Sequence, residues 1–514
     1  MAHLQGAIGP VGTLTISNIN AAPDGMCRSV VAVNGQHPGP LIQARKGDEF
    51  RMTVVNNLDD PTMLRQTSVH WHGLFSHGAP WADGSHGVTQ CPIPQFGQSF
   101  TYAFTDESAS GTFWYHSHFG TQYCDGLRGP IVIYDPNDHY KHLYDVDDES
   151  TVITLADWYD VPTPSLQRSK RAPNATLING KGRRPGGTHT DIAVVNVVPG
   201  KRYRFRLVSM SCDPGYKFSI DNHDLTIIEA DGHLTLPLKV QEIEILTGQR
   251  YSFILEANQP PDNYWIRARP DSGYAHLGRY SSGGINSAIL RYAGAAPLEP
   301  KSSAFKNPVQ LREEDLHPLV NPMAPGGSEP ADEVISLTLT KETNGDYTVN
   351  GVKWTNPDSP VMVQIMHGIP PSELLPSGYV RTLPRNKVIE VLVPALGTST
   401  SHPFHLHGHY FSVIKSANSS VKNYLNPVRR DVVGTGVGND SVIIRFTTDN
   451  PGPWFFHCHM EFHLVSGLAM VFVEAPSELR KMRPPASWDA LCPAYSSLPA
   501  SATGIERVSP GSGQ

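Results

Sequence analysis

The segment Trp454-Phe-Phe-His457-Cys458-His459-Met-Glu461-Phe-His463 constrains what this chain can fold into more than any other. It stands just before the apolar run 468–473, which predicts a buried strand. Side chains alternate faces on a strand, so His457 and His459 point one way and Cys458 the other. One backbone segment can thus serve two metal centres, one on each side. The Cys458 thiolate and the His463 imidazole are two of the ligands of a blue copper site, whose third is another histidine.

Three more histidine groups lie upstream. His70-Trp-His72 and His116-Ser-His118 each place two imidazoles on one face of a strand. The fourth group is His402-Pro-Phe-His405-Leu-His407-Gly-His409. Either pair alone could be an ordinary core or surface pair; beside the C-terminal set they read as metal ligands.

At 514 residues the chain is too long for one core and suggests about three domains. Its 45 Gly and 44 Pro suit many turns between short strands, such as 50–55 and 131–134 in the first part. The middle part, 136–294, has clear alternation at 202–207, which predicts a strand with one wet face, and no comparable histidine cluster. Its expected roles are spacer and substrate wall. Residues 295–308 read as a linker, strands resume at 388–393 and 442–446, and the Ser/Gly/Pro-rich tail 499–514 is expected to be mobile.

A net charge of −7 with no long basic run argues against nucleic-acid binding. No apolar run approaches the roughly 18 residues needed to span a membrane, and residues 1–10 lack a signal pattern. The chain is therefore an intracellular protein or a mature form given a new Met. With Cys458 assigned to metal, Cys91, Cys124, Cys212 and Cys492 could form two disulfides and leave Cys27 over, the pairing being open. Sequons at Asn174, Asn418 and Asn439 fit a secreted protein.

Taken together, His70-Trp-His-Gly73 with Trp81-Ala-Asp-Gly84, Gly111-Thr-Phe-Trp-Tyr-His-Ser-His118 running on to Pro130, the 402–409 group and the opening segment resemble the multicopper oxidases, most closely the laccases of wood-rotting fungi. The similarity extends from Ile8 to Pro493. It implies an all-β chain of three consecutive cupredoxin-like Greek-key β-sandwich domains, at 1–135, 136–300 and 301–514. It also implies four copper ions. Carried over by position, blue copper takes His402, Cys458 and His463; type 2 copper takes His70 and His405. The type 3 pair takes His72, His116 and His459 on one ion and His118, His407 and His457 on the other. His409 lies nearest to this set without joining it.

The resemblance further implies that Leu468 occupies the axial position of blue copper, where a non-coordinating side chain raises the potential above that of Met-ligated relatives. Asp213 matches the carboxylate that contacts phenolic donors and can take the phenol proton. Asp83 and Glu461 match acids near the cluster and are proton-relay candidates. Cys91 would pair with Cys492 and Cys124 with Cys212, leaving Cys27 as a buried free thiol. Two features depart from the fungal pattern: the loop 167–171 is basic where relatives carry apolar wall residues, and 272–282 is longer than usual. A basic loop would suit anionic aromatic substrates. Trp354 is either a pocket wall or a core residue.

The implied protein is a secreted, monomeric laccase that oxidises phenols and related aromatics with O2, binding neither nucleic acid nor membrane. Two rivals remain at this point: another multicopper oxidase of ferroxidase or ascorbate oxidase type, and a non-enzymatic copper-binding protein. The 11 Met residues form no visible cluster, which weighs against storage.

Overall fold

The structure is a computed structural model and describes residues 6–166, 171–271, 282–374 and 377–499. The expected mobile tail beyond Pro499 and most of the 272–282 segment lie outside the described residues, as does the basic loop apart from Arg171.

Short strands dominate, and they assemble into three pairs of facing sheets. In the first pair, a sheet of Arg28–Val33, Val11–Ala21, Glu49–Asn57 and Gln98–Thr105 packs on one of Ile42–Arg45, Arg128–Tyr134, Gly111–Ser117 and Val69–His72. Hairpin neighbours alternate with neighbours distant in sequence, such as Val11–Ala21 beside Glu49–Asn57 and Ile42–Arg45 beside Arg128–Tyr134, the signature of Greek-key sandwiches. The middle pair has six and five strands, the last pair five and five, with a two-stranded ribbon, Leu339–Lys341 and Tyr347–Val349, at its side. No helix among the described residues is long and apolar enough to cross a membrane.

Four strands carry or border the ligand histidines: β1 (Val69–His72), β2 (Gly111–Ser117), β3 (Pro403–Leu406) and β4 (Gly452–Cys458). All seven residues of β4 are buried, and its alternation divides two cores. Trp454, Phe456 and Cys458 join the apolar core running through the second and third sandwiches. Phe455, on the opposite face, joins the core that the third sandwich shares with the first. That shared core, with Trp71 and Val69 of β1 in it, presses β1 and β2 against the histidine face of β4.

Both expected disulfides are present, Cys91–Cys492 and Cys124–Cys212. Two expectations fail. Cys27 is exposed rather than buried. Strand Arg202–Ser209 has no wet face, because Arg204 and Arg206 are buried against Asp138, Glu229 and Asp147, which neutralise them. Trp354 is a core residue, 4% exposed, with its ring 4.9 Å from Phe455 and 5.2 Å from Tyr379.

Candidate metal centres

On one face of β4, Cys458 Sγ lies 3.7 Å from His402 Nδ1 and 3.8 Å from His463 Nδ1, and the two imidazole nitrogens are 3.1 Å apart. His402 immediately precedes β3, and His463 sits in the short helix α1 (Glu461–Leu464) that follows β4. Cys458 and His402 are buried while His463 is half-buried, so one edge of this trio faces outward. Leu468 is fully buried; its N–H donates to the His463 carbonyl at 3.0 Å and its carbonyl accepts from the Cys458 N–H at 3.0 Å. Burial pushes the Cys458 thiol far up, so ionising it in place needs a cation.

On the other face, eight histidines converge. Register puts His405 opposite His457 across β3 and β4, and His70 opposite His116 across β1 and β2. Ring nitrogens then meet in pairs: His407 and His457 Nε2 at 3.1 Å, His459 Nε2 and His72 Nδ1 at 3.1 Å, and His405 and His70 Nε2 at 3.5 Å. His118, His407 and His457 form one close group, with His70, His72 and His116 forming another.

The far nitrogens are anchored, and the anchors fix the tautomers. A carbonyl only accepts, so Nδ1 of His70, His116, His405 and His457 must donate to Asp83, Ser117, Asp431 and Cys458 oxygens, at 2.8–2.9 Å. Their Nε2 lone pairs consequently point into the cluster. His407 Nδ1 is held by the Asp83 carboxylate at 3.0 Å, and His72 Nε2 by that of Asp431 at 3.1 Å. Burial first, and neighbouring imidazoles next, hold His72, His116, His118, His405 and His407 well below their ordinary pKa and keep them neutral.

Sequence reasoning missed the clamp behind His72. Asp431 receives two hydrogen bonds of 2.7 Å from Arg250 of the middle sandwich, with Asp231 and Arg430 completing a buried network. Gly248 touches the cluster directly; at φ +85 a Cβ there would stand 3.0 Å from His72 and 3.1 Å from His459. The middle sandwich is therefore more than the spacer and wall that its want of a comparable histidine cluster suggested. Isolated charges and a lone glycine carry no spacing signal by which they could have been found.

The other acids are placed as follows. Asp83 is buried, with its carboxylate 3.3 Å from His70 Nδ1 and accepting from Ser85 Oγ at 2.6 Å. Asp213 is 7% exposed, and its charge is felt by Cys458. Glu461 is buried, its N–H donating to the Cys212 carbonyl at 2.8 Å, and burial pushes its carboxyl well above the usual range. His409 faces away, paired with buried Glu474 at 3.0 Å.

The donor set fits copper. Two nitrogens about 2 Å from a shared first-row ion stand roughly 3–3.5 Å apart, which matches the nitrogen pairs at 3.1–3.5 Å. Nε2 of both His116 and His118 is buried with no hydrogen-bond partner, which a bound ion would satisfy. One thiolate among imidazoles is the donor chemistry of a blue copper site.

Three sandwiches, with a centre of one cysteine and two histidines backed onto an eight-histidine cluster, define a class, and the chain belongs to the multicopper oxidase family: multicopper oxidase models match residues 15–138, 149–295 and 346–478. Within it, the sequence is similar to fungal laccases over nearly its whole length. It is 52% identical to Laccase-1 of Trametes villosa over 504 residues, 97% of this chain and 96% of that one. Laccase-2 of Pleurotus ostreatus is 51% identical over 508 residues, 96% of this chain and 94% of that one. The solved laccase from Botrytis aclada superposes with a TM-score of 0.81 at 31% identity, covering 98% of this chain and 93% of that one. Fet3p, described as a multicopper oxidase that functions in iron import, gives a TM-score of 0.81 at 26% identity, covering 95% of each chain. The three sandwiches are cupredoxin-like, as in these relatives.

Proposed function

We propose that this protein is a secreted, monomeric laccase that takes electrons from phenols and related aromatic donors and passes them to O2. The observation that carries this reading is β4, which gives Cys458 to a half-open trio and, one residue to either side, His457 and His459 to a buried histidine cluster. Bound copper, four ions by family, supplies one-electron oxidation of the donor and four-electron reduction of O2 to water.

The chain's own residues do the rest. His402, Cys458 and His463 hold the blue copper, and the half-buried His463 presents the donor-facing edge. His70 and His405 hold the type 2 ion; His72, His116 and His459, and His118, His407 and His457, hold the type 3 ions. The 3.1–3.5 Å nitrogen pairs within each of these sets support that division. Leu468 offers no ligand atom, so the blue centre lacks a thioether and favours the reduced ion. Asp213 accepts the phenol proton as the electron leaves. Asp83 orients His407 and holds a proton site beside the cluster, while Glu461, whose carboxyl burial pushes well above the usual range, is a second proton-relay group. The three domains fall at 1–135, 136–300 and 301–514. Exposed Asn418 and Asn439 suit glycosylation of an extracellular chain.

An absorption spectrum with copper analysis, followed by oxygen uptake on a methoxyphenol, tests the reading. A blue band and uptake of about one O2 per four one-electron donors support it. Blue protein without turnover, or faster turnover of Fe(II) than of any phenol, overturns it.

A further inference from the structure

The two-stranded ribbon lies against the donor-facing edge of the trio formed by His402, Cys458 and His463. Tyr347 N–H donates to the Ser466 carbonyl at 2.9 Å, which docks the ribbon on the turn after His463. Tyr347 is 5% exposed, and its ring lies 4.6 Å from that of His463. Register places Lys341 directly opposite Tyr347, with Nζ 5.8 Å from the ring centroid. Lys341 is exposed and has no carboxylate partner among the described residues. The neighbouring acid Asp346 is taken by Lys353 at 2.8 Å.

A second cation stands near the residue that precedes His463. Phe462, next to His463 and 4% exposed, has the Arg171 guanidinium carbon 5.0 Å from its ring centroid. Arg171 is the one described residue of the basic loop. Two aromatic residues thus each carry a cation near their ring: Tyr347, packed beside the half-buried His463 imidazole, and Phe462, next to His463 in the chain.

Given the laccase reading, on which this inference rests, we propose that Lys341 and Arg171 make the donor site selective for anionic aromatics, aryl carboxylates above all, by meeting the anionic group while the donor ring lies toward Tyr347, Phe462 and His463. Cations over aromatic faces bind a planar anion's charge and leave the rings to its apolar body. Neutral phenols gain only the second part.

Syringate and methyl syringate form a matched pair, one anionic and one neutral, with the same phenol. The test measures their kcat/KM ratio on the copper-loaded full chain at pH 6, for wild type, Lys341→Gln, Arg171→Gln, the double variant and Lys341→Arg. Each removed cation is expected to lower the syringate-to-ester ratio about threefold, chiefly through KM, and the double variant about tenfold. Lys341→Arg retains the wild-type ratio, and salt near 0.5 M compresses the wild-type ratio but not that of the double variant. An unchanged ratio, or equal losses for both donors, overturns the proposal while ester turnover leaves the laccase reading standing. Absence of oxygen uptake with either donor overturns both.

Discussion

Replacing Arg250 with Met tests whether the middle sandwich holds the cluster together. Arg250 is fully buried and makes four strong contacts: two at 2.7 Å to Asp431, and 3.0 Å bonds to the Thr112 and Gly248 carbonyls. Thr112 is in the first sandwich and Asp431 in the third, so one side chain joins all three. Met matches its apolar stem but leaves Asp431 and Asp231 buried together with Arg430 as their remaining cation. Removing one partner of a buried pair costs about 3–5 kcal/mol, a large share of a stability of about 5–15 kcal/mol. For units of 150–250 residues, that shift lowers the melting temperature by roughly 6–20 °C. Denaturant and thermal unfolding of the copper-loaded protein measure it, with copper content reporting the orientation of His72. Adding Asp431→Asn removes the stranded charge, so the double variant should lose less than the sum of the singles. A single-variant loss below about 1 kcal/mol, or strict additivity, would refute the reasoning.

Three further outcomes are expected. Asp213→Asn should lower kcat/KM for a phenol about 100-fold at pH 5, and far less for ferrocyanide, which releases no proton; equal losses would remove Asp213 from proton transfer. His37 is held down to about 3 by burial and by Arg128 and Arg28, so the folded state binds fewer protons than the unfolded chain between pH 6.5 and 3. Stability from this group is present above pH 6.5 and lost as pH falls through that window, and His37→Gln should flatten the slope measured by urea unfolding by up to about 1.4 kcal/mol per pH unit. Leu468→Met should lower the blue-centre potential in a redox titration while the blue band persists, and an unchanged potential would place Leu468 away from the ion.

The cluster was legible because strand geometry is periodic: His-x-His spacing puts both imidazoles on one face wherever the pattern occurs, so the linear text already encodes the site's faces. The strand at 452–458 and those near 388–394 and 441–447 followed from the same periodicity. What escaped lies in contacts between distant charges. Alternation at Arg202–Ser209 reads as a wet face only if its arginines stay solvated, and Asp138 and Asp147, from one connection, and Glu229, from another strand, bury them instead. Asp431 and Arg250 are 181 residues apart and follow no motif. Lys341, Tyr347 and Arg171 become one rim only after the ribbon docks beside His463.

The division of ligands between the first and last sandwiches also sets an order of events during synthesis. Four histidines, His70 to His118, are made early, and the remaining ligands begin only at His402. At roughly 5–20 residues per second, the early four wait on the order of 15–60 s for their counterparts. Until then a nascent chain displays half a metal site, open to any ion and bound to none in the finished geometry. A complete ligand set therefore exists only after the last strand has been made and has docked on the first sandwich.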